Sequence, residues 1–192
     1  WGLPAWYVPV EHGGRLGSHE VLLALTRRVS SRDLTTAIGH AKTFLGATPV
    51  WLAGAPAQRA ALARRILGGA AAALALTERD HGADLLAGSV EATRSPGGWR
   101  LTGEKWLINN ATRGAFASVL ARTDPAGGPR GLSFVLFDKQ ASPSGWTNLP
   151  KVRTHGIRGA DISGIRFDGA EVPEDALVGP PGTGFESTPG VR

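Results

Sequence analysis

The sequence predicts an α+β fold: a short N-terminal helical segment followed by an antiparallel β-barrel or a pair of packed sheets. Apolar residues recur at helical spacing as far as Leu67 and alternate with polar ones after Ala70. Gly68 and Gly69 punctuate the chain where the period changes. Beyond them, short strand-like runs separated by Gly/Pro turns follow one another with no helical pattern between, which favours strands that close on themselves or pack as two sheets.

Residues 1–17 are rich in Gly and Pro and read as an irregular entry with exposed aromatic residues. Ser18 is placed to cap a helix whose Val21, Leu22, Leu25 and Val29 share a face, and Asp33 to cap a second with Leu34, Ile38, Ala41 and Leu45 on its apolar stripe. His40 lies within that stripe. No other His, Cys or carboxylate stands at ligand spacing, so it reads as packed or hydrogen-bonded rather than metal-bound. Pro56 suits the first position of a third helix, in which Leu62, Ile66 and Leu67 continue a buried face until Gly68-Gly69.

Strands are expected at 71–77, 88–94, 98–103, 105–109, 115–122, 131–138 and 162–168, with turns at 96–98, 124–131 and 142–145. Residues 147–161 form a polar, basic loop. Gly179-Pro180-Pro181-Gly182-Thr183-Gly184 is glycine-rich, yet no Lys-Ser/Thr follows it and no strand precedes it, so it reads as a flexible linker rather than a phosphate loop. The chain divides into a helical part, 1–69, a β part, 70–178, and a connection, 179–192.

Composition excludes several classes. With 192 residues the chain can bury roughly 70% of its unfolded surface. The net charge of +5 rests on arginines scattered along the chain, with no basic run longer than a pair, which suits a solvated basic surface and not a nucleic-acid footprint. Zero cysteines rule out disulfides and thiolate chemistry in this stretch. No apolar run approaches the ~20 residues that span a bilayer, and no secretory signal opens the chain. A cytoplasmic setting is the expectation. The absence of Met and the start at Trp1 suggest a fragment, a processed product or an incomplete chain.

The richest chemistry lies between residues 74 and 110. Leu74-Ala75-Leu76-Thr77 suits a short buried strand, which leaves through Glu78-Arg79-Asp80-His81-Gly82-Ala83-Asp84. A Ser95-Pro96-Gly97-Gly98 turn then returns the chain through Gly103-Glu104-Lys105-Trp106-Leu107-Ile108-Asn109-Asn110. Two such strand ends side by side make an apolar wall with hydroxyl, amide and backbone donors at its rim. Thr77 either donates to a ligand or merely closes its strand.

These motifs resemble those of the acyl-CoA dehydrogenase family. Its members carry Thr-Glu-Pro, then Gly-Ser-Asp, a hairpin, and Asn-Gly-x-Lys-x-Trp-Ile-Thr-Asn; Thr77-Glu78, Gly82-Ala83-Asp84 and Gly103 to Asn110 match in that order. Val8-Pro9-Val10-Glu11-His12-Gly13-Gly14 is similar to the family's Pro-x-x-x-Gly-Gly turn. Gly156-Ile157-Arg158-Gly159-Ala160-Asp161, Phe167-Asp168 and Val172-Pro173 are similar to its late middle-domain signature. The likeness covers nearly the whole chain.

The resemblance implies a partial N-terminal helical domain, the middle β domain and a linker toward a C-terminal helical domain that is absent. It implies a flavoprotein oxidoreductase that binds FAD and oxidises an acyl thioester, carried by CoA or by a carrier protein, across its α,β bond. Hydride passes to flavin N5 and electrons go on to an electron-transfer flavoprotein or to oxygen, in a homo-oligomer when full length. Carried over by position, Leu74, Leu76 and Thr77 line one edge of the flavin, Leu107, Ile108 and Asn109 face another, and Gly82 and Ala83 lie near the pyrophosphate. The base belongs to the absent domain, so Glu78 and Glu104 are structural and the fragment alone is inactive.

Departures from the family pattern matter as well. Leu107 stands where the family has tryptophan, and Trp106, one position earlier, is expected on the opposite face of the strand. Asn109 replaces a threonine, Ala83 a serine and Arg79 a proline. Arg79 pairs either with a ligand phosphate or with Asp80 or Asp84. Two alternatives therefore stand beside the dehydrogenase: a flavin oxidase or monooxygenase of the same fold, and a non-catalytic homologue whose flavin site has decayed.

Overall fold

The structure, a computed structural model, describes residues 2–186. Two short 3-10 turns, Leu3–Tyr7 and Val10–His12, open it, and Tyr7 and Val8 are buried rather than exposed. The Pro-x-x-x-Gly-Gly turn closes tightly: a Cβ on Gly14 would stand 1.8 Å from the Val8 carbonyl oxygen, a position only glycine tolerates. Burial pushes the Tyr7 hydroxyl up to about 12.

Three helices follow. In α1 (His19–Arg32) the Ser18 hydroxyl accepts from the Glu20 N–H, and Leu22 is the buried member of the expected face, with Val21 exposed. In α2 (Leu34–Ala53) the Asp33 carboxylate accepts from the Thr36 N–H at 2.8 Å. Its buried side is not the expected stripe. Ala37, Thr43, Gly46, Ala47 and Val50 face the protein, whereas Leu34 is exposed and Ile38, Ala41 and Leu45 are half-buried. Small residues make that side the closer-packing one, so size rather than hydrophobicity decides which face goes inward. In α3 (Pro56–Leu67) Leu62 and Ile66 are buried, Leu67 is exposed, and Gln58 ties the helix to the Asp175 and Leu177 carbonyls.

The strands are β1 (Ala72–Ala75), β2 (Glu91–Ser95), β3 (Gly98–Asn109), β4 (Phe116–Arg122), β5 (Leu132–Asp138), β6 (Trp146–Leu149), β7 (Ile162–Pro173) and β8 (Leu177–Val178). They form one sheet in the order β6-β7-β3-β2-β4-β5-β8, with β1 added beside β4. The α+β class holds, but the sheet is mixed: β1 runs parallel to β4, as β2 does over a single pair, while the other pairings are antiparallel. The β2–β3 hairpin separates β1 from β4 in sequence, so local turn signals carry no trace of their pairing. The two strands expected at 98–103 and 105–109 are one, with a register shift between Leu101 and Thr102, Gly103 at φ 122° and a bulge at Leu107.

Two cores result. Trp99, Leu101, Val119, Val135, Phe137, Ile165 and Phe167 pack within the curled sheet. Val8, Leu22, Val50, Leu62, Ile66, Phe116, Leu120, Leu132 and Phe134 pack between helices and sheet. β4 serves both, alternating Phe116 and Leu120 toward the helices with Ala117, Val119 and Ala121 toward the sheet. Residues 179–184 are fastened to β5: the Gly182 N–H donates to the Ser133 hydroxyl and the Gly184 N–H to the Leu132 carbonyl.

Candidate functional site

The end of β1 and the bulged end of β3 are locked together by a buried ion pair. The Lys105 ammonium lies 2.8 Å from Glu78 Oε1 and donates to the Leu76 carbonyl at 2.9 Å; both side chains are under 5% exposed. Glu78 also accepts from the Val90 N–H and from the N–H and hydroxyl of Ser89. Burial acts to raise the Glu78 carboxyl, but the Lys105 charge and these donors outweigh it and hold the group at about 2. Burial also lowers Lys105, against the opposing pull of Glu78. The Trp106 N–H donates to the Thr77 carbonyl at 2.8 Å, completing the clasp.

Glu78 is thus held in a buried pair, and the Glu104 carboxylate pairs with Arg79 and Arg166 on the outer surface. Arg79 pairs with neither Asp80 nor Asp84. Its guanidinium bonds Glu104 at 3.2 Å and lies over the Trp106 ring, 4.8 Å from the centroid, because both side chains stand on the same outward side of β3.

Against this clasp lies a cleft of about 170 Å³ lined by Leu74, Leu76, Thr77, Leu107, Ile108 and Asn109 of the strands and by Lys42 and Leu45 of α2. The alternation of β1 sends Ala73 and Ala75 into the sheet core and Leu74 and Leu76 to the cleft. Three consecutive residues of β3 line it, which plain alternation forbids. The cause is the bulge: Trp106 pairs with Gly164 and Ile108 with Ser163, leaving Leu107 as an extra residue at φ 55°. A leucine in the left-handed region carries roughly 1–2 kcal/mol of strain. The Thr77 hydroxyl and the Asn109 amide make no hydrogen bond with another described residue.

Leu107→Gly tests the strain. Glycine relieves it but raises unfolded-chain entropy by roughly 0.5–1 kcal/mol, and Leu107 is 38% exposed, so little burial is lost. Stability in urea is expected to stay level or rise by up to about 1 kcal/mol.

Gly82 and Ala83 are not brought to the cleft; they are exposed in the loop after Glu78, where the Ala83 carbonyl accepts from Leu85 N–H. Lys42 and Leu45 were missed as site residues. Leu45 was assigned to core, and Lys42 carried no signal beyond a charge beside an apolar stripe. His40 stacks on Tyr7 with ring centroids 6.4 Å apart, and among the described residues no group of three His, Cys, Asp or Glu could hold a metal ion. No helix among the described residues is long and apolar enough to cross a membrane.

Known proteins are similar to this chain in sequence and fold. Residues 73–170, just over half the chain, match the family model described as acyl-CoA dehydrogenase, middle domain. A probable acyl-CoA dehydrogenase of Mycobacterium tuberculosis is 30% identical over 187 residues, which is 97% of this chain and 48% of that protein. The mitochondrial short-chain specific acyl-CoA dehydrogenase of Homo sapiens is 31% identical over 96% of this chain and 45% of its own length. Butyryl-CoA dehydrogenase from Megasphaera elsdenii superposes with a TM-score of 0.89 at 26% identity, over 97% of this chain and 50% of that one. An acyl-CoA dehydrogenase complexed with FAD from Bacillus anthracis gives 0.86 at 26% identity, over 97% of this chain and 31% of that one. The chain spans about half the length of the curated relatives it matches.

Proposed function

The chain belongs to the acyl-CoA dehydrogenase family, and from that premise we propose that it serves an FAD-dependent dehydrogenase of acyl thioesters. The observation that carries the reading is the convergence of Leu74, Leu76, Thr77, Leu107, Ile108 and Asn109 on one cleft between β1, β3 and α2. Those residues fit a flavin: leucines and an isoleucine offer an apolar slab, and an unpartnered hydroxyl and amide stand at its edge. Bound FAD supplies the hydride acceptor for α,β-dehydrogenation.

The chain's own residues then bind and orient. Leu74, Leu76 and Leu107 exclude water from one side of the ring; Thr77 and Asn109 donate to its polar edge. The Glu78–Lys105 pair holds the two strand ends at fixed separation, and Glu78 and Glu104 are each engaged in ion pairs. Gly82 and Ala83 serve the pyrophosphate side from the exposed loop. The helical layer 1–69, the β domain 70–178 and the connection 179–192 act as parts of a homo-oligomeric, cytoplasmic enzyme whose base is not among these residues. The acyl group rides on CoA or a carrier protein, and the electrons leave to an electron-transfer flavoprotein or to oxygen.

The test is an absorbance spectrum of the purified protein after incubation with FAD and desalting. Retained flavin absorbance is expected in the full-length product, which carries the base, and an acyl thioester is expected to bleach it anaerobically. A full-length product that stays colourless overturns the reading in favour of a decayed site. Flavin that is retained, but re-oxidises with oxygen and ignores acyl thioesters, favours the oxidase or monooxygenase alternative, for which the leucine at 107 in place of an aromatic ring is the motive.

A further inference from the structure

A second cavity, of about 290 Å³, opens on another face of α2 and shares no residue with the flavin cleft. It is lined by Tyr7 of the first 3-10 turn, by Thr35, Thr36 and His40 of α2, and by Asn110 and Arg113 just after β3. Tyr7 is 4% exposed, yet its hydroxyl makes no hydrogen bond with another described residue. Asn110 is equally buried; its amide N–H groups go to the Gly39 and Ala72 carbonyls, and its Oδ1 accepts from no described residue. Buried polar groups are ordinarily satisfied, so two such atoms on one cavity call for an occupant. The Thr35 and Thr36 hydroxyls and the exposed Arg113 guanidinium also lack a described partner. Asp161, the one acid on the lining, is already engaged: its carboxylate accepts from the Thr112 and Arg113 N–H groups and from the Ser163 hydroxyl, which fixes the turn carrying Arg113. The Lys139 ammonium answers its charge. Ile157, on the loop whose residues 159–161 form one wall, sits at φ 46°, a strained setting for a β-branched side chain. Its carbonyl accepts from the Ala160 N–H at 2.9 Å, and Gly159 abuts Thr35, where a Cβ would stand 2.9 Å from Cγ2. Strain is therefore kept where the loop closes the cavity.

We propose that this cavity binds a phosphate monoester, at a place separate from the flavin cleft. Water can satisfy the hydroxyls but brings no anion to Arg113. The donors come from three elements and approach from different directions, which suits the three terminal oxygens of a phosphoryl group better than the two coplanar oxygens of a carboxylate. Arg113 supplies the charge and the Tyr7, Thr35 and Thr36 hydroxyls supply further donors, while Asn110 Oδ1 accepts from a hydroxyl of the esterified alcohol. Lys151, Arg153 and Arg158, on the loop that ends in the cavity wall, add a positive field that draws an anion in, with no acid between residues 147 and 160.

The experiment is titration calorimetry of the full-length product with glycerol 3-phosphate, against glycerate as a carboxylate of similar size. Glycerol 3-phosphate is expected to bind the tighter of the two, and Arg113→Met to weaken it roughly tenfold, the scale of one charged hydrogen bond. Tyr7→Phe separates a binding role from a structural one. It is expected to weaken the ester severalfold while the ligand-free protein melts no lower, since the hydroxyl it removes has no partner to lose. Both variants are expected to retain flavin as the native protein does. Competition by CoA assigns the phosphate to the coenzyme, and its absence assigns it to a separate small molecule; either result keeps the site. No heat with glycerol 3-phosphate, an equal affinity for glycerate, or an affinity untouched by both variants overturns the inference while the flavin reading stands. Tyr7→Phe that lowers the melting temperature without weakening the ester makes the hydroxyl structural and overturns it too.

Discussion

Glu78→Gln is expected to destabilise the protein by about 3–5 kcal/mol, the range for removing one partner of a buried ion pair. Glutamine keeps the shape, but its single oxygen can accept either from Ser89 or from Val90 and Lys105, so the loss combines the missing charge with one orphaned set of donors. What remains is an ammonium, 2% exposed, facing an amide. The double variant Glu78→Gln/Lys105→Met restores most of the loss, because a thioether needs no counter-charge and the surrounding sheet core is apolar. Urea melts of the two single variants and the double close the cycle. If the double variant is no more stable than Glu78→Gln, the pair is not what holds β1 to β3.

The same carboxyl makes a pH signature. Glu78 lies at about 2 in the folded protein against an ordinary 4.5, so it is a group with a depressed folded value. Its contribution is fully present above pH 4.5 and disappears as the pH falls through 2. The stability gap between the native protein and Glu78→Gln therefore narrows between those values and is constant from there to neutrality. A gap that stays open at pH 2 points to lost packing rather than lost charge.

Much of the site was legible because its residues lie at two strand ends that local signals mark well: a short apolar run leaving through charges, and a return past a Ser-Pro-Gly-Gly turn. Thr77, Asn109 and the leucines could be read off that pattern with the family motifs beside it. What resisted is what depends on distant backbone. The bulge at Leu107 exists because β7 pairs across it, and no feature of Trp106-Leu107-Ile108 announces an extra residue. Lys105 was visible as a motif member, yet its buried partner, 27 residues earlier, was not. β6 and β8 escaped for another reason. They have four and two residues, and β6 is an edge strand paired on one side, too short and too wet to impose alternation. The inverted face of α2 belongs here too: a stripe of larger apolar residues reads as core, whereas it is exposed or half-buried and only Leu45 of it lines the cleft.

That inversion rests on Gly46, and substitution there is the second large effect expected. A Cβ on Gly46 would stand 2.7–2.8 Å from the backbone N, C and O of Ala73, atoms of β1 that cannot swing aside. The Ser118 hydroxyl already donates to the Gly46 carbonyl at 2.6 Å, so helix and sheet are pinned at their closest approach. Gly46→Ala must push α2 away from β1 at a cost of about 1–3 kcal/mol or more. Gly39 on the same helix has nothing within 4 Å of its would-be Cβ, and Gly39→Ala should instead gain up to about 1 kcal/mol from helix propensity. Opposite signs for one chemical change, seven residues apart on one helix, separate close packing from propensity. The functional consequence follows from the geometry. Lys42 and Leu45 flank the pinned turn, so moving α2 widens the cleft on the side facing Leu74 and Leu76, and Gly46→Ala is expected to weaken FAD retention where Gly39→Ala does not. Thermal melts read the first contrast and flavin absorbance after desalting reads the second. Equal flavin retention in the two variants would mean that the strand wall alone, without α2, makes the site.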